Sequence, residues 1–210
     1  MTPTLFLASQ SPRRRDLLEQ AAIRFQVYLP KEEELMAPKT SKEPPSHLVK
    51  RIAEAKALAA ARELTASGEN NALILAADTL VFIGNRVLAK PTSQLEAVRM
   101  LKTLSGKWHT VCTGVTVAQL KNGKHTVKSF SLSTKVKFFR LQPEQIRWYV
   151  ATGEPMDKAG SYGAQGYGAA LVEKFSGSYT NVVGLPLGHT LRFLEKVSGL
   201  KRSAFQREKK

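Results

Sequence analysis

Apolar residues along this chain fall into short continuous runs, separated by stretches in which they recur every three or four positions. That is the pattern of strands interleaved with helices. Leu5-Phe6-Leu7-Ala8 suits a buried strand, and Ser11-Pro12 then reads as the N-cap and first turn of a helix whose inner side is Leu17-Leu18. Phe25 to Tyr28 predicts a short strand. Pro38, Pro44 and Pro45 keep the next segment irregular, before a long helix from Ser46 to Ala66 with Leu48, Ile52, Ala55, Leu58 and Ala59 at helical spacing. The nearly unbroken apolar run from Ala72 to Phe82 predicts a central strand buried on both faces, interrupted by Asp78. A turn at Gly84-Asn85 leads to a strand at Val87-Leu88, which Lys90-Pro91 ends. Thr92 or Ser93 caps a helix from Gln94 to Leu104, stopped by Ser105-Gly106.

Two β-prone stretches, Trp108 to Leu120 and Thr126 to Phe139, flank Asn122-Gly123 and predict a hairpin. Along Lys135 to Arg140, alternation sets the lysines on one face and Val136 and Phe138 on the other. Pro143-Glu144 opens a helix through Tyr149, and Leu171-Val172 and Tyr179 to Val183 read as extended. Gly184-Leu185-Pro186-Leu187 starts a last helix that packs Leu191 and Leu194 on the sheet. The class is therefore α/β, and the hairpin makes its central sheet mixed.

At 210 residues the chain can bury a core as one domain, taken as residues 1–200 with a basic tail at 201–210. No apolar run is long enough to cross a bilayer, and no secretory signal is evident, so no membrane association is expected. The single cysteine, Cys112, excludes an internal disulfide, and the cytoplasm is the default compartment. A net charge of +15 favours anionic partners such as nucleotides or nucleic acid. Part of it lies in the tail, read as frayed and solvated, with a nucleic-acid arm as the less favoured alternative.

The candidate chemistry starts at the first strand–helix corner. Helix-start amides, Ser9 or Ser11, and Arg13 and Arg14 are what a phosphate oxygen needs. A Ser-Pro cap with its arginines in water is the plainer reading of the same residues. Asp78 in a buried strand requires a partner: a metal, a lysine, a hydrogen-bond donor, or solvent in a cleft. Lys56 lies on the long helix and can reach a cleft. Thr152 to Gly168 holds five glycines within sixteen residues, with Asp157, Lys158 and Gln165 supplying an acid, a cation and a base-reading amide. His109 and His125 have no ligand-like spacing and read as structural.

Taken together, Leu7-Ala8-Ser9-Gln10-Ser11-Pro12-Arg13-Arg14, Ala76-Ala77-Asp78-Thr79, Lys90-Pro91, Ser105-Gly106, His109, Thr113-Gly114-Val115, Gly153 to Gly160 and Asn181 to Leu187 closely resemble one family, the Maf-like nucleotide pyrophosphatases. The resemblance implies an elongated, two-lobed fold with a cleft, similar to inosine-triphosphate pyrophosphatases. It implies a house-cleaning hydrolase that cuts nucleoside triphosphates between the α- and β-phosphates, with a divalent cation (Mg²⁺ or Mn²⁺), and a homodimer. On the matching motifs, Asp78 is the proton acceptor and a metal ligand, and Ser9, Arg13, Arg14, Lys56 and Lys90 contact substrate. Glu34 is a second metal ligand on a looser match, with Glu32 and Glu33 beside it. Arg13, Thr79 and Gln165 resemble the specificity set of the branch acting on dTTP and UTP. Inhibition of septum formation, known for some members, is the alternative role.

Overall fold

The computed structural model describes residues 2–31 and 43–206. Its seven strands are β1 (Thr4–Ala8), β2 (Gln26–Val27), β3 (Asn71–Ile83), β4 (Arg86–Leu88), β5 (Trp108–Lys121), β6 (Lys124–Phe138) and β7 (Val172–Ser176). They form one mixed sheet in the order β2-β1-β3-β5-β6-β7, with β4 also paired to β3. β2, β1 and β3 are parallel, and the remaining pairs are antiparallel. The helices are α1 (Pro12–Gln20), α2 (Pro45–Ala66), α3 (Gln94–Leu104), α4 (Pro143–Ala151), α5 (Tyr179–Val183) and α6 (Leu187–Ser198). None of the described helices is long and apolar enough to cross a membrane.

Strand alternation sorts the core into two layers. On β3, Leu73, Leu75 and Ala77 join Leu17 and Leu18 of α1 and Leu191 and Leu194 of α6 on one face. Ala72, Ile74 and Ala76 point the other way, to Ala57, Ala60, Ala61 and Leu64 of α2. The predicted hairpin is present, and Asn122 and Gly123 both take positive φ (50° and 73°), as a tight two-residue turn requires. Ser93, not Thr92, caps α3, its side chain accepting from the Glu96 amide.

α2 lies unusually close to the sheet. A Cβ on Gly114 would collide with the Val49 carbonyl and stand 2.7 Å from the Lys50 nitrogen. Gly114→Ala should therefore cost about 1–3 kcal/mol, read as a lowered urea midpoint. An unchanged midpoint would show that α2 can move off without penalty.

Several expectations change. Tyr179 to Val183 is helical, not extended: Ser178 caps it by accepting from the Asn181 amide at 3.3 Å, and this overrides the β-branched Thr180, Val182 and Val183. Buried Asn181 then donates through Nδ2 to the Val111 carbonyl and to Thr134 Oγ1, both at 3.1 Å, tying α5 to β5 and β6. The inner side of α2 includes Val49, Ala53, Ala57 and Ala60, whereas Ala55 and Leu58 are only half-buried. The basic tail is not solvated from residue 201: Phe205 is buried, its carbonyl accepts from the Arg24 amide at 2.7 Å, and Gln206 bridges to Ile23. The acidic run from Glu32 to Glu34, and with it the candidate ligand Glu34, lies outside the described residues.

Candidate active site

The site begins as a gap in the sheet. β1 accompanies β3 as far as Ala76, and β4 takes up the same edge from Val81. Between them, residues 77–80 have no strand partner on that edge among the described residues, and a cavity of about 420 Å³ opens there. This is where ligands gather in open α/β sheets, beyond the carboxyl end of a parallel strand. The volume is that of a small-molecule pocket.

Ser9, Arg13, Arg14, Lys56, Asp78, Thr79, Lys90 and Gln165 all line this one cavity. Asp78 and Thr79 are consecutive on a strand, so their side chains leave on opposite faces. Asp78 points to the α2 side and accepts from Lys56 Nζ at 2.7 Å, both side chains being mostly buried. A lysine is thus the partner this interrupted strand requires. Thr79 points to the α1 side, where its hydroxyl meets Arg14 Nη2 at 3.2 Å, Thr113 Oγ1 at 3.0 Å and the Gly184 carbonyl at 3.3 Å.

Arg14 is buried rather than directed into solvent. Besides Thr79, its Nε donates to the Gly184 carbonyl at 2.8 Å and its Nη1 to Ser9 Oγ at 2.9 Å. One guanidinium therefore joins the end of β1, the open edge of β3 and the end of α5. Ser11 is the N-cap of α1 by position, but its side chain makes no capping bond; instead its amide donates to Ser9 Oγ at 3.3 Å.

Arg13 reaches across the cavity to Asp157, Nη1 to Oδ2 at 3.0 Å, while Lys158 Nζ holds the other carboxylate oxygen at 2.6 Å. Partial burial pushes the Asp157 carboxyl up, but hydrogen bonds and charge from Lys158 and Arg13 outweigh it and hold it below the usual carboxylate range. Five cationic side chains (Arg13, Arg14, Lys56, Lys90 and Lys158) thus face two carboxylates, Asp78 and Asp157. With α1 starting at the same place, the pocket is built for an anion. Asp157 and Lys158 were visible in the sequence as charge in a glycine-rich loop; that Asp157 seats Arg13 was not.

Tyr162 backs the cavity and is held by His109, whose Nε2 is 2.7 Å from its hydroxyl. Phe138 stacks edge-on against both rings. Burial pushes the His109 imidazole down to about 4, so it is neutral in the fold. The unfolded chain takes up this proton near the ordinary value of about 6.5, so between there and about 4 the unfolded state binds more protons. Stability therefore falls as pH drops through that window. Urea unfolding at pH 7 and at pH 5 should differ by about 2 kcal/mol from this group, and His109→Gln should flatten the dependence. An equal slope in the variant would remove His109 from the account.

The family model described as Maf-like protein matches residues 4–197 of the chain. The chain is 49% identical over 183 residues to a dTTP/UTP pyrophosphatase of Moorella thermoacetica, covering 87% of the chain and 89% of that protein. It is 46% identical over 187 residues to one of Gloeobacter violaceus (89% and 92% covered). With one of Caldanaerobacter subterraneus it shares 43% identity over 197 residues (94% and 90% covered).

Proposed function

Since the chain belongs to the Maf-like protein family, we propose that it is a nucleoside triphosphate pyrophosphatase that hydrolyses dTTP and UTP to the monophosphate and pyrophosphate. The observation that carries this reading is the single cavity joining Asp78 to Ser9, Arg13, Lys56 and Lys90. A triphosphate tail brings several negative charges in a row, and this wall offers matching cations and a serine hydroxyl.

In the proposed reaction, Asp78 orients a water on the α-phosphorus and takes its proton as the oxygen attacks. The bond from the α-phosphorus to the bridging oxygen breaks, and pyrophosphate leaves with its charge held by Arg13, Lys56 and Lys90. Lys56 fixes the rotamer of Asp78 before substrate arrives. Arg14 contributes its charge to the same wall while holding Ser9 and Thr79 in place.

The donor set fits a hard divalent cation, Mg²⁺ or Mn²⁺. Asp78 presents a carboxylate inside a pocket lined by Arg13, Arg14, Lys56 and Lys90, and such ions are commonly held by one or two carboxylates together with substrate phosphates. Asp78 is the residue to hold it, with Glu34 the further candidate from the family pattern; no group of three or more acidic, histidine or cysteine ligands occurs among the described residues. When bound, the ion neutralises phosphate charge and makes the phosphorus more open to attack. A homodimer in the cytoplasm with no nucleic-acid partner completes the reading.

Base selection is assigned to Arg13, Thr79 and Gln165. Gln165 is exposed on the cavity rim and can offer both a donor and an acceptor to a pyrimidine edge. Gln165→Ala should lower the dTTP-to-CTP ratio of kcat/KM by about tenfold or more; an unchanged ratio would withdraw the assignment. The reading as a whole is tested by a panel of nucleoside triphosphates with Mg²⁺ or Mn²⁺, resolving all phosphate products. Fastest turnover of dTTP and UTP with pyrophosphate release is expected. Release of inorganic phosphate, or no turnover of any triphosphate, would overturn it.

A further inference from the structure

Glu154 lies near the start of the glycine-rich loop that carries Gln165, and its carboxylate is more fully engaged than either carboxylate lining the cavity. Oε1 accepts from the Tyr149 hydroxyl at 2.9 Å and from the Gly168 amide at 3.0 Å. Oε2 accepts from the Tyr167 amide at 2.9 Å. The Tyr149 hydroxyl in turn accepts from the Gly163 amide at 3.1 Å. Burial is the main reason that hydroxyl is pushed upward, which keeps it a donor throughout the physiological range.

Two glycines of this loop pack against the same carboxylate. A Cβ on Gly166, whose φ is +62°, would stand 2.6 Å from Glu154 Oε2, and one on Gly163 would stand 3.2 Å from Oε1. The backbone from 163 to 168 is thus wrapped around one side chain, and Gln165 is at the middle of the wrap. The Glu154 side chain ties this loop to Tyr149 of α4 and makes no contact with Lys158 Nζ, which donates instead to the Glu154 backbone carbonyl at 2.7 Å. Lys158 therefore keeps its partners, including Asp157, when the carboxylate is altered.

We propose that Glu154 is a positioning residue for base selection: by gripping the amides of Tyr167 and Gly168 it sets where Gln165 stands at the cavity. This rests on the proposed pyrimidine-nucleotide activity and extends it to a residue that touches no substrate. Glu154→Gln replaces one acceptor oxygen by a donor, which must then face an N–H or O–H donor and releases one side of the wrap. Gly166→Ala pushes the loop off the carboxylate from the opposite side, and decides the matter if the first variant does not fold.

The test measures kcat/KM for dTTP and CTP in both variants, together with inhibition of dTTP hydrolysis by inorganic tripolyphosphate. The expected result is a dTTP-to-CTP ratio reduced by about 10–10²-fold, through a higher KM for dTTP, with inhibition by tripolyphosphate unchanged. A merely structural role would weaken both nucleotides and tripolyphosphate together and leave the ratio intact. A dTTP preference that persists undiminished in the folded variants overturns this extension alone. If the unsubstituted protein shows no preference for dTTP, the proposed specificity falls first and this extension falls with it.

Discussion

Asp78→Asn is expected to lower kcat for dTTP by about 10²–10⁴-fold while the protein stays folded. The reasoning starts from the strand. Asp78 is held by β3, which is paired to β5 across Gly114, so its backbone does not depend on the carboxylate. An asparagine oxygen still accepts from Lys56 Nζ in place of Asp78 Oδ1, 2.7 Å away. What the amide cannot do is take a proton from water. Circular dichroism should therefore match the unsubstituted protein, and steady-state kinetics should not. A variant with near-normal kcat would remove Asp78 from the chemistry.

Arg14→Lys is expected to behave in the opposite way, losing stability and activity together. The guanidinium donates to the Gly184 carbonyl, Ser9 Oγ and Thr79 Oγ1 from three different nitrogens in a buried setting. An ammonium is a point donor at the end of a flexible stem and cannot span three acceptors that belong to separate elements. Leaving two of them short of a donor should cost about 2–4 kcal/mol, visible in urea or thermal unfolding. The displacement of Ser9 and Thr79 should reduce kcat/KM for dTTP by about 10²-fold. Unchanged stability would mean that the three-way clamp is not what closes this corner. The two variants separate a residue that does chemistry from one that holds the place where chemistry occurs.

The strands and most helices were legible because their periods are local. β1, β3 and the β5–β6 hairpin follow directly from apolar runs and from Asn122-Gly123. At α5, Thr180, Val182 and Val183 favour extended backbone; the opposing Ser178 cap is local, but the burial of Asn181 against Val111 and Thr134 depends on tertiary contacts. The candidate residues were legible as types: a lone acid in a buried strand, arginines at a helix start, charge among glycines. Their pairings were not. Asp78 meets Lys56 only because strand parity turns it to the α2 face, and Arg13 meets Asp157 across 144 residues of chain. The protein partners of Arg14 were not legible either, because they come from residues 9, 79 and 184. Glu154 gave no local sign of its role, since what it binds is backbone brought back by the turns that follow it.

The central claim is that a water positioned by Asp78 attacks the α-phosphorus of a nucleotide lodged in the gap between β1 and β4. Hydrolysis of dTTP in water labelled with heavy oxygen, followed by mass spectrometry of both products, tests it most directly. The label should appear in thymidine monophosphate, with pyrophosphate unlabelled. Label in the pyrophosphate, or thymidine diphosphate with labelled inorganic phosphate, would contradict it.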